Sequence, residues 1–138
     1  MIKYESKELT IGNSRIAGSL ISVIKGTLAA YIFLVVSFGI LAVVYTYTSM
    51  PDSVTDPAIN VLTIVSLVLG GAFSSKTAWG FGWLHGALTG LMYTVIRIII
   101  GYAVFKNYVP DSGMLSPFAV GMLSAAIGGI IGINFKKR

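Results

Sequence analysis

Arg97 is the residue that most needs a chemical explanation. It lies in an apolar run, Trp79–Phe105, that holds no other full charge. At 100° per residue it shares a helical face with Gly86, Gly90, Tyr93 and Gly101, so it should turn toward neighbouring helices. An arginine deep in a membrane span costs about 2.5–3.5 kcal/mol on insertion scales. No aspartate or glutamate lies in any apolar run of the chain to offset that cost. Three roles fit: a structural pin reaching Asp52, Asp56, Asp111 or free carbonyls at helix ends; a fixed positive charge for an anion or a lipid phosphate; and simple snorkelling to the interface.

Other reactive side chains are few. His85 is the one histidine; with no second ligand it makes a poor metal site and reads as a hydrogen-bonding residue beside Trp83. Ser22, Ser37, Ser66, Ser74 and Ser124 have no base beside them, so none reads as a nucleophile; backbone carbonyls are their expected partners. Cysteine is absent, which removes disulfides and thiolate chemistry. No general acid–base pair can be assembled. The expectation is therefore no catalytic residue, no cofactor and no metal.

The strongest pattern is small residues four apart. Gly82, Gly86 and Gly90 form one stripe. Ser124, Gly128 and Gly132 form another, flanked by Gly121, Ala125 and Gly129. Shorter stripes are Ser66-Gly70-Ser74 and Ser22-Gly26-Ala30. Helices in lipid gain no hydrophobic drive from meeting, so small faces that let backbones approach are how they pack. The plain expectation is packing within one bundle. A sharper one is that the wide face of the last helix also meets a second copy.

Four elements must carry these residues. The chain is 55% hydrophobic and 11% charged, against about 25% charged for a soluble domain. Apolar runs cover about 24–48, 58–75, 79–105 and 114–134, and about 20 helical residues cross a bilayer core. Residues 1–13 read as a polar N-terminal tail and 14–138 as a single transmembrane domain. The net charge of +5 follows membrane topology rather than nucleic acid. Lys3, Lys7, Arg15 and Lys25 precede the first span, Lys76 lies between the second and third, and Lys136, Lys137 and Arg138 follow the fourth. Basic loops stay in the cytoplasm, which places both termini and the Lys76 turn inside. Tyr45, Tyr47, Tyr102, Phe105 and Tyr108 would form one interfacial belt, and Trp79, Trp83 and Phe135 the other.

Local signals give the joints. Asn13 or Ser14 is a candidate cap for the first helix. Met50-Pro51-Asp52-Ser53 should end it, and Asp56-Pro57 should open the second, with aspartate at the cap and proline at the first helical position. Asn60 and Asn134 read as capping residues at span ends. The short Ser74-Ser75-Lys76-Thr77 turn makes the second and third spans a hairpin. Lys25-Gly26-x-Leu28 matches His85-Gly86-x-Leu88, Pro51-Asp52-Ser53 matches Pro110-Asp111-Ser112, and Gly70-Gly71 matches Gly128-Gly129. These offsets suggest a tandem two-helix repeat.

The run Gly82-Trp83-Leu84-His85-Gly86-Ala87-Leu88-Thr89-Gly90-Leu91-Met92-Tyr93, and the ending Gly128-Gly129-Ile130-Ile131-Gly132-Ile133-Asn134-x-Lys136-Lys137, resemble the YrzE-like family. Its members are small four-helix bacterial membrane proteins of uncharacterised function. The resemblance covers about residues 15–137. It implies a bacterial cytoplasmic membrane and no assigned activity.

The fold class expected is thus all-α: an integral membrane four-helix bundle of two αα-hairpins, multi-pass, with both termini cytoplasmic. The expected function is a non-enzymatic packing subunit or assembly partner working through its glycine-rich faces. The alternative is an oligomeric channel or transporter for an anion or small solute that uses Arg97. Expected partners are the lipid bilayer and a homo-oligomer or larger membrane complex, with no nucleic acid.

Overall fold

A computed structural model describes residues 2–48, 51–78, 80–104, 113 and 115–136. Four helices account for nearly all of them: α1 (Ile2–Tyr47), α2 (Asp52–Thr77), α3 (Gly82–Val104) and α4 (Leu115–Lys136). Each is long and apolar enough to cross a membrane. The chain is an all-α membrane bundle. Of the sequence expectations, Lys3 and Asp52 have undescribed side chains, and Met50, Trp79, Phe105, Tyr108, Pro110, Asp111, Ser112, Lys137 and Arg138 lie outside the described residues.

Two helix starts and one helix end differ from the local signals: Ser74-Ser75-Lys76-Thr77, expected as a turn, is the last turn of α2, whose C-cap is Ala78. α1 runs unbroken for 46 residues, about 69 Å at 1.5 Å per residue, so neither Asn13 nor Ser14 caps it. Ser14 Oγ instead donates back to the Ile11 carbonyl at 2.9 Å. No proline precedes Pro51, and nothing else in the first 47 residues is strong enough to stop a helix. α1 therefore extends the polar tail as helix. Pro51, at φ −67°, is the cap of α2, and Val54 N–H donates to its carbonyl at 3.0 Å. Pro57 consequently lies inside α2. There it removes only the bond to Ser53 in the first turn, where water can take over.

α4 packs on α2 and on α3, α1 packs on α2 and on α3, and α2 touches α3; α1 and α4 do not meet among the described residues. The section is a rhombus with α1 and α4 at its far corners. A two-fold repeat would pair α2–α3 with α4–α1, so the contacts lack that symmetry.

The glycines explain why the helices come so close. A Cβ built on Gly90 would stand 2.7 Å from the Gly121 carbonyl oxygen and 2.9 Å from Met122 Cα. One on Gly82 would stand 2.6 Å from the Gly129 oxygen, and one on Gly70 would stand 2.6 Å from Ala30 Cβ. Gly86 faces the Ala125 carbonyl, Gly128 that of Val68, Gly129 that of Gly82, and Gly132 that of Ala72. No side chain larger than hydrogen fits at these places. The face of α4 is wide because it serves two neighbours, α2 through Gly128 and Gly132 and α3 through Ala125 and Gly129. Gly121 is buried with Leu67 and Thr94 nearest it.

Buried hydroxyls are satisfied along their own helices. Ser22, Thr27, Ser66, Thr89, Thr94 and Ser124 each donate to the carbonyl four residues back, at 2.6–2.9 Å. That satisfies a polar group in a medium without water. Three depart from this: Ser75 Oγ donates across to the Gly82 carbonyl, and the buried Ser74 Oγ and Thr55 Oγ1 have no partner among the described residues.

Candidate functional site

Two polar recesses interrupt the apolar bundle, one near each end. The first contains Arg97. This residue sits about 22 Å along α3 from Gly82 and about 10 Å short of Val104. It lines a cavity of about 400 Å³ between α2, α3 and α4. Its neighbours there are Asn60, Thr63, Ile64 and Leu67 from α2, Tyr93 and Thr94 from α3, and Ser116, Pro117, Val120 and Gly121 from α4.

Each helix supplies its share for a local reason. Tyr93, Thr94 and Arg97 fall on one α3 face, one turn beyond the Gly90 stripe that presses on α4. Asn60 and Thr63 lie three apart on α2. Asn60 is well inside that helix, because α2 starts at Asp52; it is a cavity-lining amide and not a cap. Thr63 Oγ1 donates to the Ile59 carbonyl at 2.8 Å. Arg97 is exposed into this space, and no hydrogen bond or ion pair joins it to another described residue, Asp56 included. Asp52 and Asp111, the other acids proposed for it, have no described side chains.

Behind the cavity the bundle closes. Leu34, Leu67, Tyr93 and Ala125 form a buried cluster with Tyr31 against it. The Tyr31 and Tyr93 rings lie 4.8 Å apart, tilted by 35°, and Tyr31 Oη donates to the Tyr93 carbonyl at 3.2 Å. Sequence reading missed Tyr31. Its signal was a tyrosine mid-run, away from the interfacial belts.

The second recess lies where the α2–α3 turn meets α1. It measures about 680 Å³ and is lined by Ser14, Arg15, Gly18, Ser19 and Gly80. Gly80 takes φ +99°, a backbone region open to glycine at little cost. The turn is held by Ser75 Oγ donating to the Gly82 carbonyl at 2.8 Å and by Lys136 Nζ donating to the Ala78 carbonyl at 2.7 Å. Lys76 Nζ stands 5.7 Å over the Phe135 ring. His85, 5% exposed, ties α3 to α1. Its Nδ1 is 2.9 Å from the Phe81 carbonyl and its Nε2 2.6 Å from Ser19 Oγ.

The helix-packing residues named from sequence therefore lie in contacts between helices of one chain. Gly82, Gly86, Gly90, Gly121, Ala125, Gly128, Gly129 and Gly132 are all buried. Exposed apolar side chains cover the outside instead, such as Leu123, Ile127 and Ile130 on α4 and Ile32, Val36 and Val43 on α1. Trp83, Phe135, Tyr47 and Tyr102 are likewise exposed, near the helix ends.

Residues 19–132 match the family described as "Protein of unknown function (DUF3792)". The chain belongs to the DUF3792 family. The matched stretch takes in Ser19, His85 and Arg97, and leaves out the projecting N-terminal turns of α1. A curated relative, "Uncharacterized membrane protein YrzE" of Bacillus subtilis (strain 168), is 26% identical over 115 residues, spanning 83% of this chain and 75% of the relative. No solved structure matches. For this DUF3792 protein, what the two recesses do rests on their own chemistry.

Proposed function

We propose that this is a non-enzymatic membrane protein that takes a small anion into the cavity at Arg97. The observation that carries the reading is a guanidinium turned into a polar space, with no described carboxylate paired to it. A cation at that depth is costly, and an anion entering the cavity offsets the cost. Asn60 and Ser116 offer further donors to such an anion. The sealed layer at Leu67, Tyr93 and Ala125 separates this cavity from the other recess, so carriage across the membrane requires the helices to shift.

Both termini and the α2–α3 turn next to Lys76 face the cytoplasm of a bacterium in this proposal, on the distribution of basic residues, and the cavity opens outward. The protein is an integral part of the cytoplasmic membrane. The role expected first from the sequence, a packing subunit acting through its glycine faces, gains no support from faces already filled within the chain. Association with a second copy or a larger complex would use lipid-facing residues such as Leu123 and Ile127.

The test is anion binding and flux in proteoliposomes with chloride and sulfate as probes. The wild type should bind and pass at least one of them. Arg97→Gln should lose this while keeping its helical content and its melting temperature. Arg97→Lys, which keeps the charge, guards against misfolding and should retain part of the activity. A wild type that neither binds nor passes either anion rules the proposal out.

A further inference from the structure

We infer that the ligand of the Arg97 cavity is a short-chain monocarboxylate, held by its carboxylate on Arg97 with its apolar tail pointing toward the closed core. This rests on the anion reading above and names the class of anion.

Charge sets the head group. Among the described residues lining the cavity, Arg97 alone carries a full charge. One fixed cation matches a monoanion, whereas a dianion would bring in a second charge with nothing to neutralise it. The planar guanidinium fork fits the two oxygens of a carboxylate in parallel, a match that a spherical ion cannot use. The hydroxyl protons of Thr63 and Thr94 already go to the Ile59 and Gly90 carbonyls. Asn60 and Ser116 are left to donate to the remaining carboxylate lone pairs.

Size and lining set the tail. The cavity holds about 400 Å³, and a water-sized ion occupies about 30 Å³, so a halide would leave most of the space wet. The lining also changes along the bundle. α3 runs antiparallel to α4, with Gly82 against Gly129 and Gly90 against Gly121. α2 runs parallel to α4, with Val68 against Gly128 and Ala72 against Gly132. One turn from Asn60, Arg97 and Ser116 toward the closed layer come Ile64, Tyr93 and Val120, which line the same cavity and share those helix faces. The head group thus meets polar side chains and whatever follows it meets an aliphatic and aromatic wall. One turn is about 6 Å, and an extended chain advances about 1.2 Å per bond. The space past Arg97 therefore takes a tail of about three to five carbons.

Gly121 forms part of the floor. A Cβ added there would stand 3.5 Å from Leu67 Cδ1 and 3.5 Å from Thr94 Oγ1, ordinary contact distances. A methyl group at this position shortens the cavity without parting the helices.

The test uses the full chain in phosphatidylcholine nanodiscs at pH 7, with affinities read by saturation-transfer NMR and empty discs subtracted. The probes are acetate, propionate, butyrate, valerate and octanoate, with butyramide as the uncharged counterpart of butyrate and with chloride and sulfate as competitors. Each buried methylene is worth about fourfold in affinity. Binding should therefore tighten about sixtyfold from acetate to valerate, and no further to octanoate. Butyramide should bind at least about tenfold more weakly than butyrate. Arg97→Gln should lose the whole series. Gly121→Ala should cut the ratio of valerate to acetate affinity about fourfold, and needs no change in charge or helix to do so. A flat series, an affinity that climbs on through octanoate, equal binding of butyramide, or an unchanged ratio in Gly121→Ala overturns the inference. If chloride or sulfate still binds through Arg97 in the same discs, the anion reading survives that result; if no anion binds, both fall.

Discussion

Replacing Gly90 by alanine adds one methyl group where α3 lies on α4. The new Cβ would stand 2.7 Å from the Gly121 oxygen, 2.9 Å from Met122 Cα and 3.0 Å from Ala125 Cβ. Carbon contacts are comfortable near 3.5–4.0 Å, so the helices must part by about 0.5–1 Å. Two of the three obstructing atoms are backbone and cannot rotate away. Overpacking of this kind costs about 1–3 kcal/mol. The same substitution gains about 0.8–1.0 kcal/mol in helix propensity, which partly masks the cost. Gly39→Ala supplies the correction, because Gly39 is on the exposed face of α1 with nothing within 4 Å of its added Cβ. The propensity gain is common to both variants, and their difference isolates the packing term. Gly90→Ala should therefore be less stable than Gly39→Ala by about 1–3 kcal/mol. The assay is unfolding in mixed dodecylmaltoside–SDS micelles followed by circular dichroism. Equal stability of the two variants would refute close α3–α4 packing at Gly90.

Further outcomes follow from the same contacts. Ser74→Ala removes a buried hydroxyl that has no partner, so stability in the same micelles should hold or rise by about 1 kcal/mol; a loss of similar size would mean that Ser74 has a partner. Ala125→Cys should give no disulfide-linked dimer in oxidised native membranes, since Ala125 is fully buried. A dimer through Leu123→Cys, 65% exposed, would show self-association through the lipid-facing surface, whereas a dimer through Ala125→Cys would mean that α4 is not enclosed as described.

The number of helices and the faces they use were legible because each depends on a local pattern. Gly82, Gly86 and Gly90 fall on one face by spacing alone. Spacing does not say which helix a face meets, so the double use of α4, by α2 and by α3, was invisible until the chain was folded. Asn13 and Ser14 looked like a start because such residues compete with helix backbone locally. A continuous run of tolerable helix formers outweighs that preference when no proline intervenes. Asp56-Pro57 was outranked by Pro51, an equally good opening one turn earlier. Asn60 was misjudged in consequence: moving the start of α2 back turned an apparent cap into a cavity wall. His85 offered no partner in sequence, since Ser19 lies 66 residues away and only the α1–α3 contact joins them.

The most direct measurement on the Arg97 cavity is anomalous scattering from bromide in crystals of the wild-type protein. A bromide peak within about 4 Å of the guanidinium, inside the space bounded by Asn60, Thr94 and Ser116, is the predicted result. An empty cavity at saturating bromide, with Arg97 closed onto a carboxylate such as Asp56, would contradict it.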